Sequence, residues 1–85
     1  MKFFVIEFKK KPKLTYIANL EKAMLRKGVK WTFKKKYLDI TPPRVEYYTT
    51  YHDVYFNSVI KNRIKKALKR YKNAMLTFIG NWRDI

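Results

Sequence analysis

"NSVIKNRIKKALKRYKNAMLTFIG", Asn57 to Gly80, decides how this chain closes its fold. On a 100° wheel, Ile60, Ile64, Ala67, Leu68, Tyr71, Ala74, Met75 and Phe78 share one stripe. Lys61, Arg63, Lys65, Lys66, Lys69, Arg70 and Lys72 occupy the rest. A stripe of that width at the 3.6-residue period predicts an amphipathic helix. Asn57 or Ser58 supplies a cap and Gly80 a stop, so the helix is expected over 57–79. From Val59 to Met75 there are seven basic residues and no acidic one. Each like-charge pair at i,i+4 costs roughly a few tenths of a kcal/mol. Either the ridge is a solvated lysine-rich face, or a polyanion relieves its repulsion.

Upstream of this helix the pattern changes period. "VKWTFKKKYLDI" (29–40) alternates, with Val29, Trp31, Phe33 and Tyr37 on one side and Lys30, Thr32, Lys34 and Lys36 on the other. That is the pattern of a strand with a basic outer face. "TPP" (41–43) turns the chain, because proline cannot continue a ladder. "RVEYYTTY" (44–51) has high strand propensity, and its two faces are hard to rank. "HDVYFNS" (52–58) fits a strand end or a helix start equally well. Residues 3–8 are apolar on both faces, which predicts a central strand ended by Pro12. Residues 14–27 form a second helical pattern, through Leu14, Ile17, Leu20, Ala23, Met24 and Lys27, with Gly28 at its C′ position.

The order is therefore β-α-β-β-α. It predicts an α+β fold of two layers, a small, mostly antiparallel sheet with two helices on one face, in a single domain over residues 1–85. The opposite sheet face is expected to stay wet and basic. So short a chain buries only about 60% of the surface it exposes when unfolded. It has no cysteine, so no disulfide or thiolate metal site staples it, and its fifteen aromatic residues must supply much of the core.

A net charge of +15 on 85 residues is the strongest global signal. Self-repulsion on this scale points to a polyanionic partner, and nucleic acid is the commonest. RNA or DNA is thus the expected partner, RNA before DNA. The contacts are expected from Lys61, Asn62, Arg63, Lys65, Lys66, Lys69 and Arg70 on the helix and from Lys34 and Lys36 on the strand. Lys9 to Lys13 form a further cluster, and Tyr47, Tyr48, Tyr51 and Tyr55 offer rings for unpaired bases. The alternative is a small inhibitor or adaptor that docks on an acidic protein surface, which needs the same charge on a shape-matched epitope. Catalysis by the chain itself is not expected. His52 and Asp53 are neighbours that a strand would point apart, the six acids are scattered, and two glycines make no phosphate-binding loop. No cofactor or metal is called for. The apolar run Phe3 to Ile6 is too short for a signal sequence, and no stretch is long enough to span a bilayer, so a cytoplasmic protein without a membrane partner is expected.

"NSVIKNRIKK" (Asn57 to Lys66) resembles the signature helix of the bacterial ribonuclease P protein, a pattern close to G-N-A-V-x-R-N-R-x-K-R. Asn57, Val59, Asn62, Arg63, Ile64 and Lys65 fit it, and Ser58, Lys61 and Lys66 are conservative departures. "LEKAMLRKG" (Leu20 to Gly28) is similar to that family's first helix and closing glycine, so the resemblance covers about Leu20 to Tyr71. Where the family has Ser-Lys-Lys-x-Gly before the helix, this chain has "YHDVYF" (51–56), and it has an extra strand at its start. The resemblance implies an accessory protein of a ribonucleoprotein, in which Lys61, Asn62, Arg63 and Lys65 contact a catalytic RNA.

Overall fold

The structure is a computed structural model and describes residues 2–51 and 56–81. Its elements are β1 (Lys2–Phe8), α1 (Leu14–Arg26), β2 (Phe33–Tyr37), β3 (Arg44–Thr49), a wide π-helical turn (Phe56–Ile60) leading into α2 (Lys61–Leu68), and β4 (Ala74–Asn81). The strands form one antiparallel sheet in the order β2-β3-β1-β4. Each β-α-β unit thus straddles a strand of the other, a split β-α-β arrangement. The α+β, two-layer architecture and the antiparallel sheet are as the sequence implies. The order β-α-β-β-α holds through α2, and a fourth strand follows it.

Both faces of β1 are buried, as its unbroken apolar run predicts for a central strand. Phe4, Ile6 and Phe8 face the helices, with Val45 and Tyr47 from β3. Onto them pack Ile17, Leu20 and Met24 of α1 and Ile60, Ile64, Ala67 and Leu68 of the second helical segment. Residues 60, 64, 67 and 68 are the front half of the apolar stripe, so that half was correctly a helix face. α1 ends where expected: Gly28 has φ +82°, a left-handed conformation that glycine adopts without a Cβ clash.

The back half of the stripe is not helical. α2 stops at Leu68, the chain turns through Tyr71 to Asn73, and Ala74–Asn81 is an edge strand beside β1. The corner is tied at Asn73, whose side chain accepts from the Lys10 amide and donates to the Lys10 carbonyl, both at 3.0 Å. β4 contains a bulge: Leu76 opposes Ile6 and Phe78 opposes Val5, leaving Thr77 unmatched. A bulge shifts side-chain parity by one residue. Leu76 and Ile79 both pack on the main core, while Phe78 packs on the other face. The stripe read as helical ran on through Ala74, Met75 and Phe78, which the strand sends apart: Ala74 is buried in the main core, Met75 is exposed and Phe78 packs on the other face. Asn57 and Ser58 also lie inside the helical segment, which is already under way at Phe56, rather than at its cap.

The face assignment of β2 is inverted relative to the alternation read from the sequence. Phe33, Lys35 and Tyr37 oppose Tyr48, Glu46 and Arg44 on the face away from the helices, while Lys34 and Lys36 oppose Tyr47 and Val45 on the helix face. Val29 and Trp31 still pack on the main core. The strand begins only at Phe33, so parity set before it does not carry through. The outer face is consequently not the wet, basic surface expected. Phe3, Val5 and Tyr48 are buried there, with Phe78 against them. Tyr47 and Tyr48 are likewise closed as open platforms for bases, being 0% and 8% exposed. Tyr51 is half-buried, its hydroxyl donating to the Gly28 carbonyl at 3.2 Å and accepting from the Lys30 amide at 2.7 Å. Tyr55, His52 and Asp53 lie outside the described residues.

Candidate functional site

The sites to examine follow from where the cations go once the core is built. Lys34 turns inward, and its Nζ donates to both carboxylate oxygens of Glu21 at 2.8 and 2.7 Å. Glu21 Oε2 also accepts from the Tyr47 hydroxyl at 2.8 Å. Burial, and then the Glu21 carboxylate beside it, push the Tyr47 hydroxyl far above its ordinary ionisation range. Lys34 is thus committed to a contact between β2 and α1. Arg63 lies against Gly28: its Nη1 reaches the Gly28 carbonyl at 3.5 Å and would sit 2.8 Å from a Cβ built there. Asn62 is exposed and donates through Nδ2 to the Ser58 carbonyl at 3.2 Å.

The remaining helix cations divide between two grooves. Lys61 and Lys65, one turn apart on α2, face Leu76, Thr77, Phe78 and Ile79 of β4 across a hollow of about 240 Å³. Lys66, Lys69 and Arg70 line a cleft of about 390 Å³ between the two helical segments, opposite Arg26 and Lys27 at the end of α1. Its floor is Ala23, Ala67 and Tyr71. The two alanines make the hollow, because larger side chains there would fill the space between the helices. The Tyr71 hydroxyl donates across it to the Asn19 carbonyl at 3.2 Å.

Five cations therefore converge on the interhelical cleft, all exposed. None makes a side-chain hydrogen bond or ion pair to a described residue. Arg26 and Lys27 belong to the last turn and cap of α1, and Lys66 and Lys69 to those of α2. Helix C-termini carry a partial negative charge, each cation there gaining about 0.3–1 kcal/mol. That offsets part of their mutual repulsion and lets the fold hold the cluster together. An anion in the cleft would remove the rest.

Of the residues anticipated from sequence, the structure gathers Lys66, Lys69 and Arg70 in one site. It sets Lys61 and Lys65 in the second groove, ties Lys34 to Glu21 and Arg63 to the Gly28 turn, and leaves Lys36 exposed on β2. The reading missed Arg26 and Lys27. The available signal was a pair of basic residues just before the helix-ending glycine, close to α2 only once the helices are packed. Among the described residues no helix is long and apolar enough to cross a membrane. Comparisons with family models, curated proteins and solved structures gave no match in any of the three.

Proposed function

We propose that the protein binds RNA through its phosphate backbone, seated in the interhelical cleft. The observation that carries this reading is the convergence of Arg26, Lys27, Lys66, Lys69 and Arg70, from two separate helix ends, on one open hollow. A purely solvated lysine face would spread its charge, whereas this cluster keeps five cations together without an acid. Phosphates satisfy such a cluster, and their release of counterions drives association. Arg26 and Arg70 add planar forks that grip a phosphate in two places, which lysine cannot do. The ribonuclease P resemblance would make the chain an accessory binder, the chemistry residing in the RNA, but the contacts it implies, Lys61, Asn62, Arg63 and Lys65, lie outside this cleft; DNA is the second nucleic-acid candidate.

The rival reading, docking on an acidic protein, draws on the other groove, where Lys61 and Lys65 flank the uncharged edge strand β4. Competition separates the two. Fluorescent single-stranded RNA bound at low salt is challenged with unlabelled RNA and with polyglutamate at equal total charge. Displacement by RNA at far lower concentration than by polyglutamate is expected. Equal displacement, or no RNA bound at low salt, overturns the proposal.

A further inference from the structure

The outer face of the sheet carries four aromatic rings in a row across all four strands. Phe33 of β2 stacks on Tyr48 of β3, with centroids 4.7 Å apart and planes 4° from parallel. Tyr48 stacks on Phe3 of β1 at 5.0 Å and 10°. Phe3 meets Phe78 of β4 at 5.0 Å and 35°. The register builds this row: Phe33 and Phe3 both oppose Tyr48 directly, and Gly80, opposite Phe3, presents no side chain where the ring of Phe78 leans in. Cross-strand aromatic pairs of this kind stabilise a sheet.

Near-parallel stacking has a consequence for binding. Phe3 and Tyr48 stand face to face, so each ring consumes its neighbour's π-face. Neither offers a platform to a base, in agreement with exposures of 1% and 8%. Phe33 differs. It is the end of the row on an edge strand, its inner face covers Tyr48, and it is 43% exposed. Its outer face continues the direction of the stack into solvent.

The charge around that face is positive. Lys35, on the same face of β2, holds its Nζ over the Tyr48 ring, 5.4 Å from its centre. Glu46, opposite Lys35 on this face, is paired with Arg44 at 3.2 Å, while Lys36 lies on the helix face and Lys34 is withdrawn to Glu21. Lys27, on the rim of the interhelical cleft, and Phe33 are six positions apart in the chain. At no more than about 3.6 Å per residue they span at most about 22 Å, within reach of a few nucleotides of extended strand.

We infer that Phe33 is a stacking site for one unpaired nucleobase, which extends the Phe3–Tyr48–Phe33 ladder beyond the sheet edge while Lys35 meets the adjoining phosphate. This rests on the RNA-binding reading and adds to it a preference for single strands, because bases inside a duplex keep both faces covered. Base–aromatic stacking is tolerant of sequence, so selectivity for unpaired over paired RNA, rather than for a base, is the expected property.

The test uses the full chain and two fluorescent probes, a ten-nucleotide oligoadenylate and an RNA duplex of the same length. Phe33→Ala should weaken oligoadenylate binding by about 5- to 150-fold, the loss of one stacked base, and change duplex affinity by less than twofold. Phe33→Trp should retain or tighten oligoadenylate binding. The salt dependence of Phe33→Ala should match that of the parent chain, since the ring touches no phosphate. Circular dichroism establishes that both variants fold. If the parent chain binds both probes and Phe33→Ala weakens them equally or not at all, the stacking site is refuted and RNA binding stands. If the parent chain binds neither probe at low salt, both readings fall.

Discussion

Glu21 is the acceptor of a three-residue cluster, and its removal has a calculable cost. Glu21→Ala takes the acceptor from the Tyr47 hydroxyl, on a residue that is 0% exposed, and from Lys34 Nζ. A buried hydroxyl left without a partner costs about 1–3 kcal/mol. The Lys34 contact contributes less, because its side chain is 31% exposed and can recover water. We take about 1 kcal/mol for it, giving a total of about 2–4 kcal/mol. For a domain of this size each kcal/mol lowers Tm by about 4–8 °C, so Glu21→Ala should melt roughly 10–30 °C below the parent chain. The assay is thermal unfolding followed by circular dichroism, extended to a cycle with Tyr47→Phe. In the Glu21→Ala background Tyr47→Phe removes the orphaned hydroxyl and should recover about 1 kcal/mol or more. Strict additivity of the two substitutions, or a Tm fall of only a few degrees, would refute the argument that this cluster ties β2 and β3 to α1. Lys34→Met tests the same cluster from the other side, lowering stability while leaving RNA affinity within about twofold once net charge is matched.

Three further expectations concern the fold. Stability should fall as pH rises above about 10. Burial, helped by the Glu46 carboxylate that accepts its hydroxyl, pushes Tyr48 up to about 12, and Tyr47 is raised further, whereas the unfolded chain's tyrosines ionise near 10. The native state therefore holds protons that the unfolded state has lost, and each tyrosine removes up to about 1.4 kcal/mol per pH unit through that window. Urea midpoints at pH 9 and 11 measure this, and Tyr48→Phe should flatten the decline. Gly28→Ala should cost about 1–2 kcal/mol, since φ is +82° and a Cβ there is strained and would also displace the Arg63 guanidinium, 2.8 Å away; an unchanged urea midpoint would contradict the turn. Ile64→Ala, at a site with 0% exposure, should cost about 2–5 kcal/mol by chemical denaturation.

What was legible in the sequence was whatever depended on local pattern. The unbroken apolar run of Phe3–Phe8 marked β1 as central, and Gly28 marked the end of α1, because both signals act within a few residues. Ile60, Ile64, Ala67 and Leu68 marked a helix face for the same reason. The β4 error arose because Ala74, Met75 and Phe78 continue the helical spacing by coincidence, although the strand sends them to different surroundings. Composition held the better clue, since no charged residue lies between Lys72 and Arg83 and "AMLTFIG" is rich in strand formers. The basic cluster was half visible. Lys66, Lys69 and Arg70 stood out on their own helix, but Arg26 and Lys27 join them only through the packing of α1 on α2. The commitments of Lys34 to Glu21 and of Arg63 to Gly28 are long-range contacts that spacing does not encode.

The central claim, that RNA phosphates sit in the interhelical cleft, is tested most directly by the salt dependence of RNA affinity. With five phosphate contacts the log–log slope for the parent chain should be about −3.5 on a single strand and −4.5 on a duplex. Replacing Lys66, Lys69 and Arg70 together by alanine should make the single-strand slope shallower by about 2. Replacing Lys9, Lys10 and Lys13, three exposed lysines outside the cleft, removes the same charge and should change it by much less. A shallow slope in the parent chain, or equal changes in the two triple variants, would contradict the account and leave net charge alone as the source of binding.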